Sequence, residues 1–496
     1  MCPMAQVQQA VSSLSGFPEW LPTGRLVEQS FLDTLRTVFE LHGFTGIETR
    51  AVEPLSALTM KGETSKEVYL LSRLQAGYPQ PGGDLDPRHQ LGLHFDLTVP
   101  FARYVVDNAG ALSFPFKRYQ VQKVWRGERP QEGRFREFVQ ADIDVVADGT
   151  LPLHYDAELP LVMHEALTAL PVPRVTIHVS NRKVAQGFYQ AVGISQDQVI
   201  EVLRVVDKLD KIGEQAVAAE LVDAVGTTPQ QAQRALALAR VSGTDPRDVS
   251  DQVHRALDGA QPTELLQEGL GELAAVLDSA GRRRPGALLA DLRIARGLDY
   301  YTGTVYESFM EGHEDLGSVC SGGRYDSLAA GSGRTYPGVG ISIGLSRLLS
   351  RVVSAGLLEV SRPVPTCVLV AVTDEEHRSR SEEIADTLRA RGISADVSPS
   401  AARFGKQIRF ADRRGIPFVW FPATGADSAD DAPRADGADD PGGSDSVKDI
   451  RSGEQVQADA RTWTPPEDDL RPQVRATVLQ AGYRDRYQDG CTGSGR

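Results

Sequence analysis

Cysteine is scarce in this chain: four residues in 496, at Cys2, Cys320, Cys367 and Cys491. None forms a Cys-x-x-Cys pair, so neither a structural zinc site nor a disulfide framework is expected, and reduced thiols in a cytoplasmic protein fit the pattern. No apolar run approaches the ~20 residues that span a bilayer. Met1–Val7 has no basic stretch followed by an apolar one, so no secretory signal is expected. The sequence also lacks a G-x-x-x-x-G-K-[ST] phosphate loop and a strand-linked G-x-G-x-x-G. A nucleotide, if one is used, must therefore be held by side chains.

What is present is a chain of 41% apolar and 24% charged residues, long enough for roughly two to four domains. The net charge of −14 is the wrong sign for general nucleic-acid binding. Part of it is local: Ala426 to Ser446 holds seven Asp and one Arg, which leaves −8 for the remainder. Basic clusters stand at Phe116-Lys117-Arg118, Arg126 to Arg136, Arg282-Arg283-Arg284 and Arg403 to Arg414. A globally acidic chain with local basic surfaces suits selective binding of one folded RNA.

Gly24 to Gly43 carries apolar residues at helical spacing and ends on glycine. Short β-rich runs follow at Ile47–Thr49, Glu67–Leu70, Phe116–Val121 and Phe138–Val146, which predicts an antiparallel sheet rather than βαβ repeats. Residues 181–285, rich in Ala, Leu, Val and Gln at helical spacing, read as an all-α insertion. On this reading 1–180 and 286–360 form the two parts of one α+β core. Beyond Pro363-Val364-Pro365 strand and helix alternate, predicting a small α/β domain over 361–488. Residues 423–446 have no apolar periodicity and are expected to be disordered, as is the end from Asp489.

The chemistry concentrates in a few segments. Trp125 to Phe138 reads as strand, loop, strand with four arginines, whose guanidinium forks suit phosphate oxygens. Arg296-Gly297-Leu298-Asp299-Tyr300-Tyr301 and Gly322-Gly323-Arg324-Tyr325-Asp326 each set an arginine beside aromatic hydroxyls. These two runs resemble the two histidine-specific motifs of histidyl-tRNA synthetases. The arginine-rich segment resembles motif 2 of the class II aminoacyl-tRNA synthetases, and Gly338 to Leu348 resembles motif 3. Lys406 to Gly415 and Val447 to Gln455 resemble a helix and a strand of the family's anticodon-binding domain.

The resemblance implies a class II antiparallel-sheet core with a helical insertion, and an α/β anticodon-binding domain. It implies a homodimer that joins histidine to tRNA(His) with ATP, Mg²⁺ accompanying the ATP. Arg126 would contact the α-phosphate and the substrate carboxylate, and Arg296 would stabilise charge on the reacting phosphorus. Glu128, Arg136, Phe138 and Arg347 would lie by the ATP, with Phe138 under adenine and Arg347 on the γ-phosphate. Neutral imidazole offers one donor and one acceptor, so a specific pocket needs partners of both kinds. Asp144 and Tyr301 offer these, with Tyr300 and Tyr325 of the same runs. Asp96, Thr98 and Gln140 suit the α-ammonium. Arg129 and Gln131 would face the acceptor end of the tRNA. Two positions depart from the family pattern: Arg50 replaces a usual proline in motif 1, and His94 a usual arginine. Two rival readings are a paralogous regulatory subunit of ATP phosphoribosyltransferase, which typically lacks the anticodon domain and the catalytic arginines kept here as Arg126, Arg296 and Arg347, and a non-catalytic RNA-binding scaffold.

Overall fold

The computed structural model describes residues 5–6, 14–59, 67–72, 90–294, 301–331, 333–423 and 444–477. The chain divides into two compact units, the larger drawn from Val11–Glu19 and Phe31–Arg351 and the smaller from Met1–Ala10, Trp20–Ser30 and Val352–Arg496.

The larger unit is organised on a nine-stranded sheet. Its strands are β1 (Thr45–Gly46), β2 (Phe116–Trp125), β3 (Glu137–Val146), β4 (Val175–Asn181), β5 (Ser242–Gly243), β6 (Leu288–Asp291), β7 (Thr304–Met310), β8 (Cys320–Gly331) and β9 (Arg334–Gly344). They lie in the order β1-β2-β3-β9-β8-β7-β4-β6-β5. The centre, from β2 across to β4, is antiparallel throughout. Two pairs towards the edges are parallel, β1 with β2 and β4 with β6. The second pair has a topological cause. Between β4 and β6 the chain runs through α4 (Arg182–Ala191), α5 (Gln196–Val206), α6 (Leu209–Asp223), α7 (Pro229–Ala239), α8 (Pro246–Leu257) and α9 (Glu264–Arg283), and a long helical crossover returns a strand in the same direction. The stretch expected to be wholly helical also contains β5, two residues that pair with β6 at the sheet edge.

Strand β3 shows why this sheet holds a site. Its residues alternate between apolar Ala141, Ile143 and Val145 and polar Gln140, Asp142 and Asp144, so one face joins the core and the other forms a polar floor. The floor continues sideways, because Arg118 of β2 lies opposite Asp144 and Gln120 opposite Asp142. On the other side Gly340 of β9 faces Asp144, and Ser342 faces Asp142. Helices α2 (Thr98–Asn108) and α3 (His154–Ala169) pack on this sheet, and α1 (Pro22–Leu41) and α10 (Leu345–Ser354) reach it through Phe39 and Ser346.

In the smaller unit, β10 (Val368–Val370), β11 (Ala395–Val397), β12 (Phe418–Phe421), β13 (Ser446–Asp449) and β14 (Gln455–Gln457) form a sheet in the order β11-β10-β12-β13-β14. Helix α11 (Arg378–Ala390) packs Ile384, Ala385 and Leu388 into a core with Val368, Val370 and Trp420. Helix α12 (Phe404–Arg414) is anchored by Gln407, whose buried amide accepts from Val372 N at 2.9 Å and donates to Val372 O at 2.8 Å. Gly415 closes that helix in the left-handed conformation, φ +69°. Most of the acidic tract and the end of the chain lie outside the described residues.

Candidate active site

Strands β2 and β3 pair in register from Phe116↔Val146 to Trp125↔Glu137, so residues 126–136 are the loop of a hairpin. The loop doubles back on itself through Gln131 and Arg134, which exchange backbone hydrogen bonds at 3.2 and 2.9 Å. Gly133 makes the bend in a left-handed conformation, φ +68°, where an added side chain would also meet Leu316. Arg347, at the start of α10, ties this loop down: its Nε donates to Gly133 O at 2.9 Å and its Nη1 to Ser318 O at 2.6 Å.

Between the loop and the sheet lies a cavity of about 260 Å³ lined by Arg126, Glu128, Arg134, Phe138, Gln140, Ser342 and Arg347, among others. Arg126 is fixed in it by Nε donating to Phe95 O at 3.0 Å, with its guanidinium 5.0 Å from the centre of the Phe138 ring. Glu128 pairs loosely with Arg134 at 3.5 Å. Arg136 donates to Glu128 O at 3.3 Å and buttresses the loop from outside the cavity lining. Arg129 and Gln131 are exposed at the loop tip.

Gln140 bridges this cavity to the polar floor. Its Nε2 donates to Ser342 Oγ at 2.8 Å, and Ser342 donates to Asp142. The amide oxygen of Gln140 accepts no hydrogen bond from the described residues, which leaves an acceptor for an ammonium group. Asp144 is only 2% exposed and does not line the open cavity. One of its oxygens accepts from the Tyr325 hydroxyl at 2.6 Å, and the other lies 2.8 Å from Arg118 Nη2. Tyr325 reaches it because Gly338, its partner across the strands, leaves the space its ring fills. Tyr301 lies against Gly323, where an added Cβ would come within 2.8 Å of the ring. Asp96 is buried and accepts from Val99 N at 3.1 Å, so it also caps α2; Thr98 is half-buried at the start of that helix.

Burial dominates the titration of this floor. It pushes Asp142 up to about 7 and Asp144 to about 6, with Arg118 opposing the rise in both. Asp96 is also raised by burial, opposed by the Val99 N–H and by Arg126.

The structure therefore brings Arg126, Glu128, Phe138, Gln140 and Arg347 around one cavity, and Asp96, Asp144 and Tyr325 into a buried layer beside it. Arg296 and Tyr300 lie outside the described residues. Sequence reasoning missed Arg118, Asp142 and Ser342. The period-two alternation of β3 would have found Asp142, since Gln140 and Asp144 flank it on the same face. Arg324 of the second histidine-specific run is a brace: it is bound to buried Asp156 at 2.6 Å and to Leu151 O at 3.1 Å. The two atypical positions are also accounted for. Arg50 pairs at 2.8 Å with Glu53, a buried carboxylate shared with Arg103. His94 is buried, donates from Nε2 to Lys123 O at 2.7 Å, stacks on Trp125, and is held below the usual histidine range by burial.

A family model described as histidyl-tRNA synthetase matches residues 16–348, and one described as anticodon binding domain matches 366–421. The histidine–tRNA ligase of Bifidobacterium animalis subsp. lactis is 56% identical over 464 residues, covering 92% of this chain and 96% of that protein. That of Micrococcus luteus is 56% identical over 470 residues, covering 93% and 98%. The crystal structure of histidyl-tRNA synthetase from Nostoc sp. PCC 7120 superposes with a TM-score of 0.77 at 36% identity, covering 91% of this chain and 98% of that one. With the family model spanning the sheet, the hairpin loop and the buried polar floor alike, the chain belongs to the histidyl-tRNA synthetase family.

Proposed function

We propose that this chain is a histidine–tRNA ligase in which the hairpin cavity takes ATP and the adjoining polar floor takes histidine. The observation that carries the reading is Gln140, which lines the cavity together with Arg126 and Phe138 and joins the buried floor through Ser342. A substrate spanning the two places its carboxylate beside Arg126 and its ammonium beside Gln140 and Asp96. Its ring then points towards Asp144, Tyr301 and Tyr325.

In the first step a carboxylate oxygen of histidine attacks the α-phosphorus of ATP, the bond to the bridging oxygen breaks, and pyrophosphate leaves. Arg126, held by Phe95 O, offers its guanidinium to the carboxylate and the α-phosphate and needs no reorganisation as charge builds. Arg296 supplies the second cation on the reacting phosphorus. Adenine stacks on the Phe138 face turned away from Arg126, with Glu128 and Arg136 beside the nucleotide and Arg347 at its γ-phosphate. Glu128 is a single carboxylate at the cavity wall, which suits Mg²⁺ carried in by the phosphates with most of its water shell. In the second step a ribose hydroxyl at the 3′ end of tRNA(His) attacks the adenylate carbonyl and AMP leaves. Arg129 and Gln131 at the loop tip meet the acceptor end, and the smaller unit binds the anticodon. The enzyme works as a cytoplasmic homodimer. Incubation with ATP, labelled histidine and a tRNA(His) transcript should yield charged tRNA; absence of charging, with active tRNA and folded protein, would reject the reading.

A further inference from the structure

Arg118 is a wholly buried arginine on the polar floor, 0% exposed, and it is not among the residues that line the open cavity. Its guanidinium lies 4.3 Å from the centre of the Phe101 ring and 2.8 Å from one oxygen of Asp144, its neighbour across the β2–β3 pair. Among the described residues none of its three guanidinium nitrogens meets an aligned acceptor, so the link to Asp144 is a buried charge contact. Three carboxylates are buried here, Asp96, Asp142 and Asp144, each 8% exposed or less. Burying a cation carries a large desolvation penalty, and a hydrophobic residue of similar volume would often serve stability as well. A purely structural ion pair has no reason to oppose the residue that faces the substrate ring.

We propose that Arg118 is a specificity-determining positioning residue: it acts on the imidazole through Asp144, holding that carboxylate ionised and aimed so that it accepts from the ring N–H. The inference rests on the reading that this floor takes histidine. Arg118 and Tyr325 hold the two oxygens of Asp144 from opposite strands, and Gly340 gives the carboxylate its space, so its direction is set before substrate arrives. Among the described residues the charged and titratable groups that face Asp144 are Arg118 from β2, Asp142 on β3, Tyr325 from β8 and Asp96 before α2, and β9 places the uncharged Gly340 opposite it. Arg118 is the cation in contact with it. Without that cation the Asp144 pKa rises further, and a protonated Asp144 offers the ring N–H a hydroxyl in place of a carboxylate.

The test is ATP–pyrophosphate exchange by Arg118→Met and Arg118→Lys, run beside the unsubstituted chain. Arg118→Met should raise the KM for histidine by roughly 30-fold or more, the usual scale for removing one member of a buried charge pair, and leave the KM for ATP within about threefold. Between pH 7 and pH 8.5 its histidine KM should fall as Asp144 ionises, a trend absent from the parent. Arg118→Lys keeps the charge but loses the flat guanidinium that lies over the Phe101 ring, so it should recover most of the loss and still bind histidine about threefold to tenfold more weakly than the parent. If Arg118→Met does not fold, Arg118→Lys decides alone. A histidine KM within about twofold of the parent in either folded variant would overturn the inference, as would parallel rises in both KM values. Failure of the parent to exchange with histidine would overturn the functional reading itself.

Discussion

The closest packing on the polar floor gives the sharpest test of where the histidine ring is read. Gly340 lies directly across from Asp144, and a Cβ added there would stand 2.6 Å from the Asp144 carboxyl carbon and closer still to its Oδ1. Asp144 cannot swing aside freely, because Arg118 holds one oxygen at 2.8 Å and Tyr325 the other at 2.6 Å. Relief to an ordinary contact needs a shift of about 1 Å or breakage of one of those links. Gly340→Ala should therefore cost about 1–3 kcal/mol of stability as an overpacked core substitution. Its larger effect should be on substrate: a displacement near 1 Å in a positioned group costs on the order of 100-fold. Steady-state ATP–pyrophosphate exchange would show that loss in kcat/KM for histidine while the KM for ATP changes little. Gly271→Ala, on α9 and away from the cavity, is the control: its Cβ would meet nothing within 4 Å, so the histidine KM should stay near the parent value. If Gly340→Ala folded and bound histidine like the parent, Asp144 would not be the group that reads the ring.

Further outcomes follow from other parts of the molecule. Arg296→Ala should slow adenylate formation by roughly 100-fold or more with little change in histidine affinity, because the cation acts on charge that develops in the transition state; single-turnover quench-flow measures it. Replacing 424–443 by a short Gly/Ser link should leave charging near normal. The flanking strands already pair from Phe421↔Ser446 to Phe418↔Asp449, and Asp445 accepts from Ala423 N at 2.8 Å to close the loop base; a large loss of activity would mean the tract has a specific partner. Asp291 is nearly buried, and although burial pushes its pKa up, His178 and Arg293 outweigh that and hold it down at about 2. Its contribution, of order 2 kcal/mol, is present above about pH 4 and lost as pH falls towards 2, so the stability gap between parent and Asp291→Asn in urea unfolding should narrow from pH 6 to pH 3. Gln131→Ala should leave pyrophosphate exchange unchanged and slow transfer to tRNA carrying an extra 5′ guanosine more than to tRNA lacking it; equal losses on both would show that Gln131 does not read that nucleotide.

Much of the architecture is written in local pattern. The β2–β3 hairpin was legible because two apolar-alternating runs flank a loop dense in Arg, Glu and Gly, and the helices of 182–283 because their apolar residues recur at helical spacing. The parallel pairing of β4 with β6 was not, since it depends on where a long crossover returns the chain rather than on either strand's own residues. Within the site, Arg126, Phe138, Gln140 and Arg347 line one cavity, and it was the resemblance to the family's motifs that named them. Arg118 was hidden by its neighbour. Phe116-Lys117-Arg118 reads as a basic surface, yet alternation along β2 turns Lys117 outward to Glu158 and Arg118 inward to Asp144. Arg324, within the second histidine-specific run, braces Asp156, a role that the run's residues do not announce. Composition states that a charge exists; only the register of a strand states which side of the sheet receives it.

The central claim is tested most directly by ATP–pyrophosphate exchange, with each of the standard amino acids supplied in turn to the unsubstituted protein. A floor that pairs with both imidazole nitrogens leaves its own polar groups unsatisfied around any other side chain, and should discriminate by roughly 10⁴ or more. Exchange should occur with histidine and be undetectable with the others. Exchange driven equally well by another amino acid, or absent with histidine, would contradict it.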